Sequence, residues 1–197
     1  MRDVRIRLAT RADAERMRTV YAPYVQDTAI SFEYDVPSSE EFGLRVERTL
    51  RRHPWLLVED EGGDCLGYAY ASPLIDRRAY DWVCEVSLYV RQDVRGRGLG
   101  RRLYSELADM LASQGVVTLY ACVAVPREED DRLTEASLRF HERVGFRVIG
   151  RFERSGFKFG TWYDMVWMER GIQERPRSPR PFVPLPELRA CGGPALS

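Results

Sequence analysis

The sequence contains almost no lysine: Lys158 is the only one among 30 basic residues, and the rest are arginine. Acidic residues also number 30, so the formal net charge is +0. No overall field therefore draws the chain to nucleic acid or to an anionic membrane surface. The arginines are spread along the whole chain, which is typical of codon bias and not of a dedicated phosphate-binding surface. We predict neither a nucleic-acid partner nor a membrane partner.

Cysteine is also scarce, and long apolar runs are missing. None of the four cysteines lies in a C-x-x-C pair or at metal-ligand spacing; they are Cys65, Cys84, Cys122 and Cys191. This pattern predicts a reduced, cytoplasmic protein without a bound metal. The N-terminus lacks the apolar core of a signal peptide. The longest apolar run, residues 116–125, is interrupted by Thr118 and is far too short to span a bilayer, so we interpret it as a buried strand.

The rest of the composition is that of an ordinary globular domain, with 44% apolar and 30% charged residues in 197. Hydrophobic periodicity predicts the order β-α-α-β-β-β-α-β-α-β-β, which describes an α/β fold with a mixed central sheet and flanking helices. The predicted strands are residues 4–8, 55–59, 65–71, 82–90, 116–125, 146–149 and 162–169, and the predicted helices are about 10–21, 38–52, 99–114 and 133–144.

The composition changes sharply after Gly171. Six prolines follow within a short span, and such a stretch does not build a second core. We therefore divide the chain into one domain, residues 1–171, and a proline-rich tail, residues 172–197. The tail is expected either to dock in an extended, polyproline-like form or to be disordered.

A turn of alternating arginine and glycine follows the apolar strand 82–90 and opens directly into a helix. It reads Arg95-Gly96-Arg97-Gly98-Leu99-Gly100-Arg101. Glycine lets the backbone come close to a ligand and adopt a positive φ. The free N–H groups and dipole of a helix start attract anions, and arginines add charge-assisted hydrogen bonds. This turn is therefore predicted to bind a pyrophosphate.

Two common nucleotide folds do not suit this turn. A Rossmann fingerprint normally opens the first strand–helix unit, whereas this turn lies in the middle of the chain. A Walker A motif needs Lys-Ser/Thr after its second glycine, and that pair is absent. The phosphate site must belong to another fold.

Residues 95–100 resemble the Arg/Gln-x-x-Gly-x-Gly signature with which the GNAT N-acetyltransferase superfamily binds the pyrophosphate of coenzyme A. Four further segments resemble the phosphinothricin acetyltransferase family: Arg-His-Pro-Trp-Leu at 52–56, Ala-Tyr-Asp-Trp at 79–82, Glu-Val-Ser-Leu-Tyr-Val at 85–90, and Gly-Phe-Lys-Phe-Gly-Thr-Trp at 156–162. The similarity extends over about residues 4–169. It implies a GNAT-like acyl-CoA N-acyltransferase fold, acetyl-CoA as cosubstrate without a metal, and acetyl transfer to the amino group of a small molecule such as phosphinothricin or methionine sulfoximine. It also implies that the chain can form a homodimer.

The chain departs from the family pattern near the expected acceptor pocket. Residues 127–136 lengthen a loop that is usually short after Pro126. Thr134 replaces an asparagine that is common in the family, and Phe159 replaces a family histidine. These departures leave the reaction unchanged but make the identity of the substrate an open question.

Two residues are expected to carry the chemistry. An ammonium acceptor must lose a proton before it attacks a thioester, and a carboxylate is a natural base. Strand alternation puts Glu85 on one face with Ser87 and Tyr89, and the resemblance assigns Glu85 as the base. The alternative is a solvent-facing glutamate. The resemblance also places His141 where it relays a proton, with a structural histidine that makes one hydrogen bond as the alternative.

The remaining site residues bind the two substrates. By resemblance, a backbone N–H of Leu88, Tyr89 or Val90 stabilises the oxyanion, the same backbone pairs with the pantetheine arm, and Ser137 contacts the coenzyme. The pyrophosphate is expected on the turn residues Arg95, Gly96, Arg97, Gly98, Gly100 and Arg101. Arg77 is expected to bind a carboxylate of the acceptor, while Phe32 and Tyr80 form walls of its pocket.

Two other functions stay open at this point. The acidic loop 128–131 favours a cationic acceptor such as a polyamine, an aminoglycoside or a peptide N-terminus. The proline-rich tail instead favours a non-catalytic sensor that binds coenzyme A and docks a partner.

Overall fold

The computed structural model describes residues 4–128 and 130–192. Glu129 of the acidic loop and the last five residues of the predicted tail lie outside this description. Seven strands form one sheet in the order β1-β2-β3-β4-β5-β7-β6. All neighbours are antiparallel except β4 and β5, which run parallel. The prediction of a mixed sheet flanked by helices is confirmed.

The elements follow the predicted order. The strands are β1 Val4–Leu8, β2 Trp55–Asp60, β3 Cys65–Pro73, β4 Val83–Val90, β5 Thr118–Val125, β6 Arg147–Lys158 and β7 Thr161–Gly171. The helices are α1 Ala14–Asp27, α2 Ser39–Leu50, α3 Leu99–Gln114, α4 Ala136–Arg143 and α5 Leu185–Ala190. None of the helices in the described ranges is long and apolar enough to cross a membrane.

The helices cover the two faces of the sheet separately. On one face, α1 and α2 bury Met17, Tyr21 and Phe42 against Trp55 and Tyr68 of the sheet. On the other face, α3 supplies a fully buried stripe that includes Leu103, Leu107 and Leu111. Residues of one strand therefore alternate between two separate cores, as the period of two in a strand requires.

Strands β4 and β5 separate soon after they begin to pair. Their register runs only from Val83–Thr118 to Glu85–Tyr120, although each strand continues for five further residues. The second half of β4 therefore has no strand partner on its β5 side. An opening in the middle of a sheet leaves backbone groups available to a ligand that binds like an added strand.

The structure corrects three predicted boundaries. Helix α4 begins at Ala136 and not at Leu133, because Leu133 leaves the helical path and is buried in a small core of its own. Strand β6 extends to Lys158, far beyond the predicted 149, since its exposed and irregular pattern gives little periodic signal. Helix α1 also continues to Asp27, with Pro23 inside it.

The described part of the tail is docked. Residues 172–183 run along the end of α3, where Arg180 donates hydrogen bonds to the carbonyls of Ala112 and Ser113. The indole of Trp82 donates to the carbonyl of Arg180 (2.7 Å). Helix α5, which the sequence did not predict, then buries Leu185 to 2% exposure against the α3 core.

Candidate active site

The turn between β4 and α3 is shaped as an anion site. Gly98 is the N-cap of α3 with φ 80°, and Gly96 also has φ 80°. An L side chain rarely adopts this left-handed conformation, which explains why glycine stands at both positions. The first helical hydrogen bond joins Arg102 N to Gly98 O, so the preceding N–H groups of α3 have no partner within the helix. They are available to a phosphate.

A cavity of about 470 Å³ runs from this turn along the open side of β4 to helix α4. Most residues predicted to hold the cosubstrate line it: Leu88, Val90, Arg95, Gly96, Gly98, Gly100, Arg101 and Ser137. The predicted catalytic residue His141 also lines it, whereas Tyr89 and Arg97 do not. The ring of Tyr89 packs against Tyr21 and Tyr24, and Arg97 is exposed on the turn. The cavity therefore joins a cationic end to an apolar channel, as a nucleotide with a long thioester arm requires.

The backbone of β4 presents alternate residues to this cavity. Trp82 O accepts from Val117 N on the β5 side, whereas Arg91 N donates to Leu66 O on the β3 side. By alternation, Leu88 and Val90 direct N–H and C=O toward the opening, and Tyr89 directs them toward β3. The Tyr24 hydroxyl already bonds to both backbone groups of Val90: it donates to the carbonyl oxygen (2.6 Å) and accepts from the N–H (3.3 Å). Leu88 is thus the best-placed of the three predicted donors.

Glu85 lies where β4 and β5 begin to separate, on the α1/α2 face of the sheet. It is opposite Ser72 on β3 and Tyr120 on β5 and is half-buried. Burial raises the pKa of the Glu85 carboxyl above its usual value. A carboxylate with a raised pKa accepts a proton more readily near neutral pH than a surface glutamate does.

The polar cluster consists of Tyr70, Ser87, Arg45 and Glu33, on the same face of the sheet as Glu85. Burial raises the pKa of Tyr70, which the hydrogen bond of Ser87 and the charges of Glu85, Arg45 and Glu33 also shift. Arg45 is held by two carboxylates, at 2.6 Å from Glu33 and 2.6 Å from Glu41. The face thus combines a base with hydroxyl and charged groups, as recognition of a zwitterion requires.

His141 sits on α4 with both ring nitrogens engaged. Nδ1 lies 2.8 Å from the carbonyl of Ser137, and Nε2 lies 3.0 Å from the hydroxyl of Tyr104. Because a carbonyl only accepts, Nδ1 carries the hydrogen and the neutral ring accepts from Tyr104 at Nε2. Burial lowers the pKa of His141 below its usual value. His141 is therefore a neutral imidazole at pH 7.

The predicted acceptor residues are not all brought together. Phe32 lies in the segment after α1 and packs against Gly156, where a Cβ would stand 2.1 Å from the ring. Arg77 and Tyr80 lie on the β3–β4 connection, where Arg77 is exposed and Tyr80 is 37% exposed. This connection is fixed at its far end by an ion pair between Asp81 and Arg52 (2.6 Å).

Sequence reasoning missed three tyrosines of the site: Tyr24, Tyr70 and Tyr104. Tyr70 had a usable signal, because Tyr68, Tyr70 and Ser72 alternate along β3. Tyr104 looked like part of the apolar stripe of α3, and Tyr24 like a core residue of α1. Their hydroxyl contacts join positions 66 and 37 residues apart, and no local pattern reports such contacts. Within the described residues, no group of three or more His, Cys, Asp or Glu side chains could hold a metal ion.

Comparison with known proteins gives a consistent result. The family profile described as an acetyltransferase (GNAT) domain matches residues 6–167. Phosphinothricin N-acetyltransferase of Streptomyces viridochromogenes is 33% identical over 187 residues, 95% of this chain and 97% of the relative. L-methionine sulfoximine/L-methionine sulfone acetyltransferase of Pseudomonas aeruginosa is 30% identical, over 88% of this chain and 98% of the relative.

Among solved structures, the fold is similar to that of a GNAT superfamily phosphinothricin acetyltransferase from Sinorhizobium meliloti in complex with acetyl-CoA. The TM-score is 0.79 and the identity 28%, over 92% of this chain and 98% of the other.

Proposed function

Because this chain belongs to the GNAT superfamily and to its phosphinothricin acetyltransferase-like family, it is an acetyl-CoA-dependent N-acetyltransferase, and we propose that its acceptor is the amino group of a small amino acid or analogue. The relatives that are named for phosphinothricin and for methionine sulfoximine support this substrate class. The observation that carries the proposal is the position of Glu85 where β4 and β5 separate, beside the polar cluster, while the cavity follows the open part of β4 beyond it.

The donor half of the site fits acetyl-CoA. Its pyrophosphate would be held by N–H groups between Arg95 and Arg101, and the rest of the molecule by the cavity that leads past Leu88 to Ser137 and His141. Acetyl-CoA supplies an activated acetyl group as a thioester. The space beside the glycine turn is open to the pyrophosphate, since no atom lies within 4 Å of a Cβ built at Gly96 or Gly98.

In the proposed reaction Glu85 removes one proton from the acceptor ammonium. The freed nitrogen lone pair attacks the thioester carbonyl carbon, and the Leu88 N–H stabilises the oxyanion. The C–S bond then breaks. The second proton of the nitrogen passes to the sulfur, and Glu85 returns its proton to solvent. The products are the N-acetyl compound, the free thiol and one proton.

We propose His141 as the relay for the second proton. In its neutral form Nε2 is an acceptor, and a lowered pKa means that a proton taken up is soon given back. The Tyr104 hydroxyl must turn away from Nε2 for this step. If His141 relays the proton, we expect His141→Gln to lose most of its turnover. If His141 only holds Tyr104 in place, the variant should keep most of it.

The Glu85 proposal is tested by Glu85→Gln, which keeps the shape of the side chain and removes the base. We expect turnover to fall by about 10²-fold to 10⁴-fold, the usual contribution of a positioned base, while binding of acetyl-CoA is unchanged. Thiol release measures turnover, and calorimetry measures binding. Glu61→Gln is the matched control, because Glu61 is an exposed glutamate of the turn between β2 and β3. Wild-type turnover in Glu85→Gln, or an equal loss in Glu61→Gln, would contradict this role.

The substrate class is tested by thiol release with a panel of acceptors. We expect methionine sulfoximine, phosphinothricin and small amino acids to be acetylated in preference to polyamines, aminoglycosides and dipeptides. One structural fact weakens the case for a cationic acceptor: the Asp130 carboxylate of the acidic loop is used internally, by two backbone N–H groups and by Tyr163. Preferential acetylation of a polyamine or an aminoglycoside would overturn the proposal.

We also propose that the chain forms a homodimer and is located in the cytoplasm. Edge strand β6 exposes Val148, Ile149, Phe152 and Phe157, which supports the homodimer implied by the family, and light scattering tests it. Cys65 and Cys84 are buried as free thiols, which supports a reducing compartment such as the cytoplasm. We also propose residues 1–171 as the catalytic domain and 172–197 as its tail.

A further inference from the structure

A second cavity, of about 740 Å³, is lined by residues of α2, of β2 and β3, and of the connection that follows β3. Trp55, Tyr70 and Ser72 line it from the sheet, and Arg45 and Arg48 line it from the helix. It shares no lining residue with the cavity along β4. Its volume is in the usual range for a small-molecule site. We call it the α2 cavity.

The α2 cavity borders the proposed base. Ser72, which lines the cavity, is paired with Glu85 on the neighbouring strand β4. Residues directly opposite each other on antiparallel strands share one face, with their Cβ atoms about 4.5–5.5 Å apart. Tyr70 also lines the cavity and is paired with Ser87, two positions along the same face of β4. An acceptor with its ammonium group at Glu85 therefore has this cavity beside it.

The part of an amino acid that fits such a cavity is its side chain. The α-carboxylate is attached to the carbon that carries the amine, so it stays beside the base, whereas the end of the side chain reaches farther. The rings of Trp55 and Tyr70 are stacked with their centroids 4.1 Å apart, and they offer an apolar surface to methylene groups.

The indole of Trp55 adds an unused hydrogen-bond donor to this wall. Trp55 is 3% exposed, and its Nε1 has no hydrogen-bond partner among the described residues. A buried donor without a partner is costly, and an oxygen at the end of an acceptor side chain would supply the missing partner.

The protein neutralises most of the positive charge that lines the α2 cavity. Arg45 binds Glu33 and Glu41, each at 2.6 Å, and Arg52 binds Asp81 at 2.6 Å. These two arginines are therefore held by internal carboxylates. They shape the cavity and leave little charge for a ligand.

Arg48 differs from these two arginines. It lies three residues after Arg45, on the same side of α2, and is exposed. Among the described residues it has no carboxylate partner. Two other titratable groups of the cavity do not change this balance. Burial lowers the pKa of His53 to about 4, so its ring is neutral at pH 7, and Asp76 is exposed on the β3–β4 connection, where solvent screens its charge.

We propose that the α2 cavity binds the side chain of the acceptor and that Arg48 selects side chains that end in an oxyanion, such as a phosphinate or a carboxylate. A guanidinium forms paired, charge-assisted hydrogen bonds with such groups. This inference rests on the proposed function, which it narrows from small amino acids to those with an anionic side chain. Arg48 is a specificity-determining residue and does not touch the reacting atoms.

The test compares two acceptors that differ in the charge of the side chain. Phosphinothricin ends in a phosphinate, whereas methionine sulfoximine has nearly the same shape and an uncharged end. Both carry the same α-amino and α-carboxylate groups, so the ratio of their kcat/KM values reports on the side chain. Thiol release from acetyl-CoA measures this ratio in the full chain for wild type, Arg48→Gln and Arg48→Lys.

Arg51→Gln is the matched control. Arg51 is an exposed arginine at the C-cap of α2 and does not line the α2 cavity. The variant loses the same charge from the same end of the helix. It therefore separates contact with the ligand from a general change in the electrostatic field.

In Arg48→Gln we expect the preference for phosphinothricin over methionine sulfoximine to fall by about tenfold, through a higher KM for phosphinothricin, as loss of a charge-assisted hydrogen bond allows. The kcat and the KM for acetyl-CoA should stay as in wild type. Arg48→Lys should lose less, because it keeps the charge but not the planar fork. Arg51→Gln should behave as wild type.

Inorganic sulfate is the probe for an anion that binds apart from the acceptor. We expect it to compete with phosphinothricin in wild type and to compete less in Arg48→Gln. Sulfate that changes turnover without competing with phosphinothricin would assign the α2 cavity to a separate ligand and overturn the inference.

Two further results would overturn it: an unchanged ratio between the two acceptors in Arg48→Gln, or an equal fall of this ratio in Arg51→Gln. Failure of the proposed function looks different. In that case wild type would acetylate neither acceptor and no small amino acid, whereas failure of this inference leaves both acceptors acetylated with a ratio that does not depend on Arg48.

Discussion

At the scale of the residue, the environment of Glu85 decides its chemistry. A glutamate on a half-buried strand face loses hydration, so its charged form is less favourable and its pKa rises. Burial also raises the pKa of Tyr70 and of Cys122, that of Cys122 to about 12, so neither group adds a negative charge near Glu85 at neutral pH. The base is therefore poised nearer neutral pH than a surface glutamate.

This predicts the pH dependence of the reaction. Glu85 must be ionised to accept a proton, so kcat/KM falls as pH drops through its pKa, and the raised pKa moves this loss to a higher pH than for an ordinary glutamate. Because burial lowers the pKa of His141, an inflection from its imidazole is expected at a lower pH than for an exposed histidine. A pH profile of kcat/KM checks both points. Loss of the acidic limb in His141→Gln, with the limb intact in Glu85→Gln, would reverse the two roles.

At the scale of the element, the tail contributes to stability far from the chemistry. The end of α3 leaves carbonyl groups without helical partners, and Arg180 and Gln173 of the tail donate to those of Ala112, Ser113 and Val116. Leu185 then closes the α3 core. The tail therefore acts through packing and helix capping, and we expect it to affect the free energy of unfolding.

We expect Leu185→Ala to lower the free energy of unfolding by about 2–4 kcal/mol, the usual cost of removing a buried leucine side chain. For a chain of this length the melting temperature should fall by about 4–16 °C. Thermal unfolding measures the shift, and kcat/KM should not change. Leu188→Ala is the control, since Leu188 is on the same short helix but only partly buried. A loss no larger than in Leu188→Ala would show that the docked tail is not a stabilising element.

At the scale of the whole molecule, acetyl-CoA binds across parts that are distant in sequence. The cavity is shared by α1, β4, the glycine turn, α3 and α4. A ligand that binds only the folded chain stabilises all of them together, by about 2.7 kcal/mol at 100 times its Kd.

Acetyl-CoA at that concentration should therefore raise the melting temperature by about 5–11 °C. Gly98→Ala should reduce this shift at the same ligand concentration, because a side chain at φ 80° costs about 1–2 kcal/mol and distorts the turn that holds the phosphates. Glu85→Gln should keep the full shift, since Glu85 does not line the cavity. Differential scanning fluorimetry measures the melting temperature with and without acetyl-CoA. A shift in Gly98→Ala as large as in wild type would contradict the anion-site assignment.

The sequence by itself determined the local features of this protein. Helix α3 lies at the predicted residues 99–114, between Gly98 and Gly115, because helix ends and left-handed glycines depend on neighbours in the chain. Strand alternation likewise placed Glu85, Ser87 and Tyr89 on one face, and five motifs in order identified the family.

Tertiary structure decided which distant groups meet. Leu133 was assigned to a helix from its local pattern, yet it is buried against Ala29 and Tyr163, which lie 104 and 30 positions away. The bond of Tyr24 to Val90 and the pairing of Tyr104 with His141 have the same origin. Short-range periodicity records which way a side chain points. Only packing of the whole chain determines what it meets there.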